Sequence, residues 1–444
     1  MAADEFKDHL ATIAERWEAA LSFAGFDAAI VTAGEPRLYF LDDQAPPVRL
    51  NPHFLQWCPE TTAAGSALLI RPGQPPRLYF LQPEDYWHMP PAVPVWAREM
   101  EVKVFGERDP LLAEVRRDAL TTGNHVALVG ETAGAPDDFP PQDVNPTLLI
   151  DHLHFDRAVK TPFELAAMRE ATRKGVRGHL AAAAAFAEGE SEFRINLRYL
   201  AASEQLPAEL PYANIVALNE HAGVLHYQHY DRQPPEARQS FLIDAGGSHL
   251  GYAADITRTY AADGSSPYAE LVARVDEAQR AIIDSITPGV PYLDLHVNMH
   301  RRLAGILVEC GLARGSAEAV FTSRLTETFL PHGLGHLIGL QTHDVGGQQT
   351  SHEGGTAPPP DNYPTLRTTR TLDKGMPVTI EPGLYFSPRL LNAAKGEPGA
   401  DLIDWDRVDA LRAGGGIRIE DIVVIRDDGR VETRTRDAFA ELGS

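Results

Sequence analysis

Cysteine is nearly absent from this chain: Cys58 and Cys310 are the only two among 444 residues. Two thiols build neither a disulfide framework nor a thiolate metal cage, and they suit a reducing, cytoplasmic compartment. Cys58 reads as a small apolar filler rather than a nucleophile. Basic charge is also short, with 40 Lys and Arg against 62 Asp and Glu, a formal net charge of −22. Nucleic acid and anionic membranes both require a basic face, so neither is an expected partner. Long apolar runs are missing too. The most apolar stretch, 180–187, is mostly alanine and far below the roughly 20 residues of a membrane span. Met1-Ala2-Ala3-Asp4-Glu5 opens acidic with no apolar core behind it, so no secretory leader is expected. What is present is ordinary for a well-cored chain. Hydrophobic residues make up 43% and charged residues 23%, which argues against disorder, and the length suggests two or three domains.

The first third reads as an α/β module. Residues 6–24 have helical periodicity at Leu10, Ile13, Trp17 and Leu21, with Gly25 as the stop. Strand-length apolar runs follow at 28–32, 38–41, 67–70, 78–81 and 126–129, with a helical pattern near 110–120. A long loop, 42–64, holds Pro46, Pro47, Pro52 and Pro59. A second regime begins near 155–165. Thr161-Pro162-Phe163-Glu164 has the cap, first-turn proline and glutamate of a helix start, for a helix reaching Ala187 and a second over 191–204. Beyond lie paired strands and helical patterns at 268–286, 292–310 and 316–329, an α+β order with an antiparallel sheet. The Pro/Gly-rich stretch 353–366 reads as a loop.

Four short stretches carry the chemistry. Asp244 ends an apolar strand before Ala245-Gly246-Gly247, and Asp255 lies in a second strand, so a hairpin is expected. With its centre between His249 and Leu250 the two aspartates stand opposite each other, Cβ atoms about 4.5–5.5 Å apart. A turn at Gly246-Gly247 pairs Asp244 with His249 instead. The stretch 332–343 contains His332, His336 and His343 with three glycines, and neutral imidazole is a frequent metal ligand. Glu381 ends the strand Val378-Thr379-Ile380 at a Pro-Gly turn, and Arg418 and Glu420 alternate onto one strand face. Carboxylates on such apolar strands are not buried unpaired. Four of them with a histidine in one site carry about −4 charge, which proton uptake or cations must neutralise. Two divalent metals are the economical solution.

This set, with His336 inside a His-Gly-x-Gly-His stretch, resembles the ligand pattern of the pita-bread metallopeptidases. Leu41-Asp42-Asp43-Gln44, Asp85-Tyr86-Trp87-His88, Leu225-His226-Tyr227 and Leu366-Arg367-Thr368-Thr369-Arg370 further resemble bacterial prolidases, the Xaa-Pro dipeptidases, across the whole chain. The resemblance implies an α/β plus α+β fold. A creatinase-like domain would occupy 1–160, and a catalytic domain with a curved antiparallel sheet 161–444. It implies Asp244, Asp255, His336, Glu381 and Glu420 as ligands of two divalent ions, manganese or cobalt, whose bridging hydroxide attacks the scissile carbonyl of an Xaa-Pro dipeptide and releases proline. Glu381 would handle protons. His226 and His343 would hold the carboxylate and the polarised carbonyl, and Arg367 would pair with the proline carboxylate. Arg418 and Arg370 would orient ligands or close the pocket, or Arg418 would pair structurally with a carboxylate. His332 would support the ligands, and Tyr212 would line the pocket for the first substrate residue. A homodimer is implied as well. Ala45-Pro46-Pro47 departs from the acidic and aromatic residues that prolidases often carry after Asp-Gln, which bears on recognition of the substrate's amino end. The alternatives are aminopeptidase P-type cleavage of longer peptides, organophosphate hydrolysis as in organophosphorus acid anhydrolases, and a non-catalytic peptide-binding module.

Overall fold

The apolar spacing at Leu10, Ile13, Trp17 and Leu21 turns one helix face inward: Ala3–Ala24 is helical and all four side chains are buried. The computed structural model describes residues 3–120, 124–131, 139–397 and 399–443. By its contacts it divides into two units. The first is Met1–Arg157, Thr161–Ala167 and Gln349–Gly355; the second is Ala158–Lys160, Met168–Gln348 and Thr356–Ser444.

The first unit contains one mixed sheet. Its strands β1 (Ala28–Thr32), β2 (Ala67–Ile70), β3 (Arg77–Leu81), β4 (Glu101–Phe105) and β5 (Val126–Val129) lie in the order β4-β3-β2-β1-β5. Pairs β1–β5 and β3–β4 are parallel, and β1–β2 and β2–β3 antiparallel. Helix Arg108–Leu120 packs Leu111, Val115 and Ala119 against Ile30, Leu69 and Leu128. Strand β4 has no apolar run to announce it; its Glu-Val-Lys-Val-Phe is only partly covered. The stretch 38–41 is not a strand. Phe40 and Leu41 are 91% and 90% exposed, and Leu41 has φ +55°, which breaks the extended backbone. The loop 42–64 contains a short helix, Pro52–Trp57, capped by the Asn51 side chain on the His53 N–H at 2.9 Å. Thr161 and Glu164 form the anticipated capping box: the Thr161 N–H donates to Glu164 Oε2 at 2.8 Å and the Glu164 N–H to Thr161 Oγ1 at 3.3 Å.

In the second unit, helices Pro267–Asp284 and Tyr292–Glu309 pack Leu271, Ile282, Met299 and Leu303 into one core with Val378, Ile380, Ile417 and Val423. The strands are β6 (Ile215–Leu218), β7 (Ser240–Asp244), β8 (Ser248–His249), β9 (Tyr252–Ala253) and β10 (Thr257–Ala261). A short pair outside this set, β11 (Gln349–Ser351) and β12 (Gly354–Thr356), puts a strand in the segment expected to be loop. After it come β13 (Pro377–Ile380), β14 (Gly383–Tyr385), β15 (Gly416–Arg418), β16 (Asp421–Ile425) and β17 (Val431–Thr433). Pairing in the second unit is antiparallel, in short ladders β10-β7-β6, β13-β16-β17, β14-β15 and β8-β9. Bridges Thr257↔Glu420 and Leu337↔Val378 link the elements that carry the carboxylates. The helix expected over 316–329 is two, Ala317–Thr322 and Thr326–Phe329, because Arg324 takes φ +62° and forks onto Glu327 with two 2.7 Å bonds.

The hairpin differs in register. His249 pairs with Tyr252 and Asp244 with Thr257, so Asp255 is not opposite Asp244. Between the two ladders the same register continues, Ala245 N–H reaching Ile256 O and Ala254 N–H reaching Gly247 O, which sets Asp255 across from Gly246. Gly246 and Gly247 permit close packing here, since a Cβ on Gly246 would stand 2.0 Å from Ala254 O of the facing strand and one on Gly247 2.0 Å from Ala171 O. This register, two residues from the one that opposes the aspartates, avoids the like-charge opposition.

Candidate metal centre

Five side chains meet in the second unit, and each comes from the end of a local element. Asp244 closes β7, Asp255 precedes β10, Glu381 follows β13, and Glu420 lies between β15 and β16. His336 is brought in by Gly335, whose missing Cβ would sit 2.2 Å from Thr379 O and 2.4 Å from Tyr292 Oη. The His336 and Thr379 backbones are tied twice: His336 N–H to Thr379 Oγ1 at 3.0 Å, and Thr379 N–H to His336 O at 2.9 Å. His336 Nδ1 donates to Leu337 O at 2.9 Å, the tautomer this network assigns. Its Nε2 then faces Asp255 Oδ2 and Glu381 Oε1, each at 3.5 Å. Ligand atoms of Asp255, His336 and Glu420 all lie within 4.8 Å of one another, and all three residues are buried.

The outer oxygens are held by donors. Tyr212 Oη donates to Asp255 Oδ1 at 2.5 Å, Arg418 Nη2 to Asp244 Oδ2 at 2.6 Å, and Thr257 Oγ1 to Glu420 Oε2 at 2.8 Å. Thr379 Oγ1 donates to Glu381 Oε1 at 3.4 Å. Two oxygens remain without any hydrogen bond although buried, Asp244 Oδ1 and Glu420 Oε1. Buried acceptors are rarely left bare.

Electrostatics indicate the same deficit. Burial, with repulsion among the carboxylates, pushes Glu381 up to about 7 and Glu420 well above the carboxylate range. Burial raises Asp244 too, against the pull of Arg418. For Asp255 burial is outweighed by His336, which holds it below the usual range, while Asp255 and Glu381 overcome burial to raise His336. Arg418 offsets one of four negative charges. Oxygen donors with one imidazole nitrogen and two bare oxygens suit divalent cations of the manganese, cobalt or zinc type.

Around this cluster runs a directed chain of hydrogen bonds. Arg418 Nη1 donates to Tyr385 Oη at 2.8 Å, Tyr385 donates to His332 Nε2 at 2.8 Å, and His332 Nδ1 donates to Gly333 O at 2.7 Å. Burial holds His332 down at about 3, so it stays neutral and can accept from Tyr385. The His343 ring stands edge-on to His336, centroids 4.5 Å apart, and burial, His336 and Arg367 lower its pKa. His226, His343 and Arg367 are exposed, in contrast to the buried Asp255, His336 and Glu420. Arg370 is placed through its backbone, its N–H on Gly347 O and its carbonyl on the Tyr292 N–H. Tyr212, expected along the substrate pocket, is bonded to a proposed ligand, and Arg418 pairs with a carboxylate. Sequence reasoning passed over Thr257, Thr379 and Tyr385. Strand threonines and a Gly-Leu-Tyr strand have no distinguishing spacing, and their roles come from which carboxylate or arginine they face. Cys58 is wholly buried with its thiol pushed up to about 12, as a filler would be.

Residues 166–427 match the model of metallopeptidase family M24, and 4–155 match that of the Xaa-Pro dipeptidase N-terminal domain. The chain belongs to metallopeptidase family M24. It is 44% identical over 437 residues to a protein named Xaa-Pro dipeptidase from Stenotrophomonas maltophilia (strain K279a), covering 98% of this chain and 97% of that one. It is 42% identical over 443 residues to Xaa-Pro dipeptidase 2 from Idiomarina loihiensis, covering 99% of each. Among solved structures it is similar to a Pseudomonas aeruginosa aminopeptidase, PepP, with a TM-score of 0.73 at 24% identity over 97% of this chain and 95% of that one. Zinc-substituted Escherichia coli aminopeptidase P in complex with product gives a TM-score of 0.68 at 21% identity, over 99% and 96%. These structures establish the two-domain architecture, an N-terminal α/β domain and a pita-bread M24 domain.

Proposed function

We propose that this M24 metallopeptidase is a dinuclear Xaa-Pro dipeptidase that hydrolyses Xaa-Pro dipeptides and releases proline. The carrying observation is the gathering of buried Asp255, His336 and Glu420 with partly buried Asp244 and Glu381, in which Asp244 Oδ1 and Glu420 Oε1 lack a donor. Relatives named Xaa-Pro dipeptidase along the full length support the substrate class. Those five residues would hold two divalent ions, manganese by the predominance of oxygen donors. When bound, such ions polarise a carbonyl and supply a water nucleophile at neutral pH.

The protein's own residues supply the rest. Glu381 accepts a proton at a carboxylate oxygen and returns it to the leaving prolyl nitrogen. A prolyl bond has no N–H for a peptidase to align, so recognition falls on the substrate's ends. Exposed Arg367 forks onto the proline carboxylate, with His226 and His343 on the carboxylate and the scissile carbonyl. Arg418 pulls Asp244 toward its ionised form against the burial that raises it, and the Tyr385–His332 chain fixes the guanidinium in place. Arg370 orients the Arg367 segment, and Tyr212 fixes the direction of Asp255.

The domains fall at 1–160 and 161–444 in this reading, and the enzyme is a cytoplasmic homodimer. Two cysteines, both buried and free, fit a reducing compartment. No helix among the described residues is long and apolar enough to cross a membrane. Exposed Leu38, Phe40, Leu41, Tyr86, Trp87 and Met89 in the first unit are the kind of apolar surface a second copy would cover.

The test is a substrate panel run on protein loaded with manganese, with metal content measured by mass spectrometry. Xaa-Pro dipeptides should be cleaved far faster than tripeptides, and Arg367→Met should raise KM by roughly tenfold or more with a smaller change in kcat. Faster cleavage of longer peptides would transfer the assignment to an aminopeptidase P activity, and a protein holding no metal would remove it.

A further inference from the structure

A second cluster of ligand-type side chains lies in the first unit. Helix Thr147–Arg157 presents His152 and Asp156 four residues apart, hence on one face. Segment 349–355 brings His352 to the same face. His352 Nε2 is 2.7 Å from Asp156 Oδ1, and His152 Nδ1 is 3.7 Å from Asp156 Oδ2. The two imidazole rings have centroids 4.6 Å apart, and one ligand atom from each of the three residues lies within 4.8 Å of the others.

An ion pair between His352 and Asp156 accounts for only two of the three groups. His152 is 8% exposed, and its Nδ1 is buried without a hydrogen bond. At 3.7 Å the carboxylate is too far to serve as its acceptor. Burial, aided by His352, lowers the pKa of His152, so its imidazole is neutral with a lone pair to give. Tetrahedral zinc at about 2.0–2.2 Å from nitrogen and oxygen ligands sets those ligands about 3.3 Å apart, between the two separations observed. The rings of Phe23 and Phe155 stand 5.5 Å from His152 and 4.4 Å from His352, while Asp156 and His352 remain partly exposed, which leaves a face for water.

The remaining cluster of this type in the second unit, Glu192, His221 and Asp231, differs in having its needs met. Glu192 accepts from the Leu218 N–H, His221 Nδ1, Tyr227 Oη and the Asp231 N–H, which saturates both oxygens.

We propose that His152, Asp156 and His352 form a separate site for a divalent transition ion of the zinc class, three protein ligands and a water completing the tetrahedron. The ion clips segment 349–355 to helix Thr147–Arg157. Gln349 reinforces the junction, its Nε2 donating to Asp151 O at 3.2 Å and Asp151 Oδ1 at 3.1 Å.

The experiment counts ions. Full-length wild type, His352→Ala, Asp156→Asn and an Asp255→Asn background with and without His352→Ala are stripped of metal. They are equilibrated with zinc or cobalt, desalted and counted by mass spectrometry. His352→Ala should lose one ion per chain in both backgrounds, with a matching loss of the visible absorption of tetrahedral cobalt. Asp156→Asn, nearly isosteric, should show the same loss and serves if His352→Ala does not fold. Equal counts and equal cobalt spectra in parent and variants would overturn the proposal and leave an ion pair. The Asp255→Asn background separates this count from ions held in the second unit.

Discussion

Arg418 Nη2 donates to Asp244 Oδ2 at 2.6 Å while its Nη1 holds Tyr385 Oη at 2.8 Å, and Asp244 keeps its other oxygen bare. One guanidinium therefore both neutralises the carboxylate and decides which oxygen faces the cluster. Arg418→Gln removes the charge and leaves Asp244 buried beside Asp255. We expect metal affinity to fall about 10–100-fold and stability by about 3–5 kcal/mol. Competition with a metal indicator and urea titration measure the two. Unchanged affinity would mean that Arg418 serves packing alone.

Removing the metals should expose a pH dependence with a definite sign. Glu381 is raised from 4.5 to about 7 in the fold, so between those values the folded state binds more protons than the unfolded. Metal-free protein thereby loses stability as pH rises through that window, the contribution of this group being complete only below it. Added manganese should raise Tm more at pH 8 than at pH 5, and Glu381→Gln should reduce the difference. Equal shifts at both pH values would count against carboxylate repulsion as the deficit the cations relieve.

His179 acts in the opposite direction. It is fully buried with Nε2 donating to Ala245 O at 2.9 Å, and burial lowers it from 6.5 to about 3. Unfolded chains take up the proton first, so stability is intact above 6.5 and falls as pH drops toward 3, by about 1.4 kcal/mol per unit in that window. Urea midpoints of wild type and His179→Gln at pH 7.5 and 5 test this. The variant should be less stable at pH 7.5 and lose less on acidification.

Asp421 is wholly buried beside Glu420, accepts from Arg258 Nη2 at 2.6 Å and Gln279 Nε2 at 2.8 Å, and forms an ion pair with Arg436, whose Nε is 2.7 Å away. Arg258 also donates to the Glu420 carbonyl at 2.8 Å, so this network sets where β16 begins and where Glu420 points. Asp421→Asn leaves the Arg258 guanidinium without its carboxylate, while Arg436 keeps Asp276 at 2.6 Å, and should destabilise by about 3–5 kcal/mol. A melting curve checks the loss. Metal binding measured well below the new Tm should also weaken, as a stability defect alone would not require.

The helices with capped starts and periodic apolar faces were legible from Leu10, Ile13, Trp17, Thr161 and Glu164, because caps and amphipathic spacing act over a few residues. Strand 38–41 was misread for the converse reason. Apolar composition does not create a pairing partner, and Leu41 turns the chain. The hairpin register was open in the sequence and settled by the two-residue turn Leu250-Gly251, both at positive φ, which sets Asp244 opposite Thr257 and Asp255 opposite Gly246.

Residue type and charge arithmetic determined by themselves that four carboxylates and an imidazole must share compensation, since that follows from the energy of burying like charges wherever they meet. Only the tertiary structure decided which oxygens are already held by Tyr212, Thr257 and Arg418 and which two are bare. Direction and hydrogen-bond occupancy depend on neighbours up to 174 residues distant along the chain, and no local pattern encodes such neighbours.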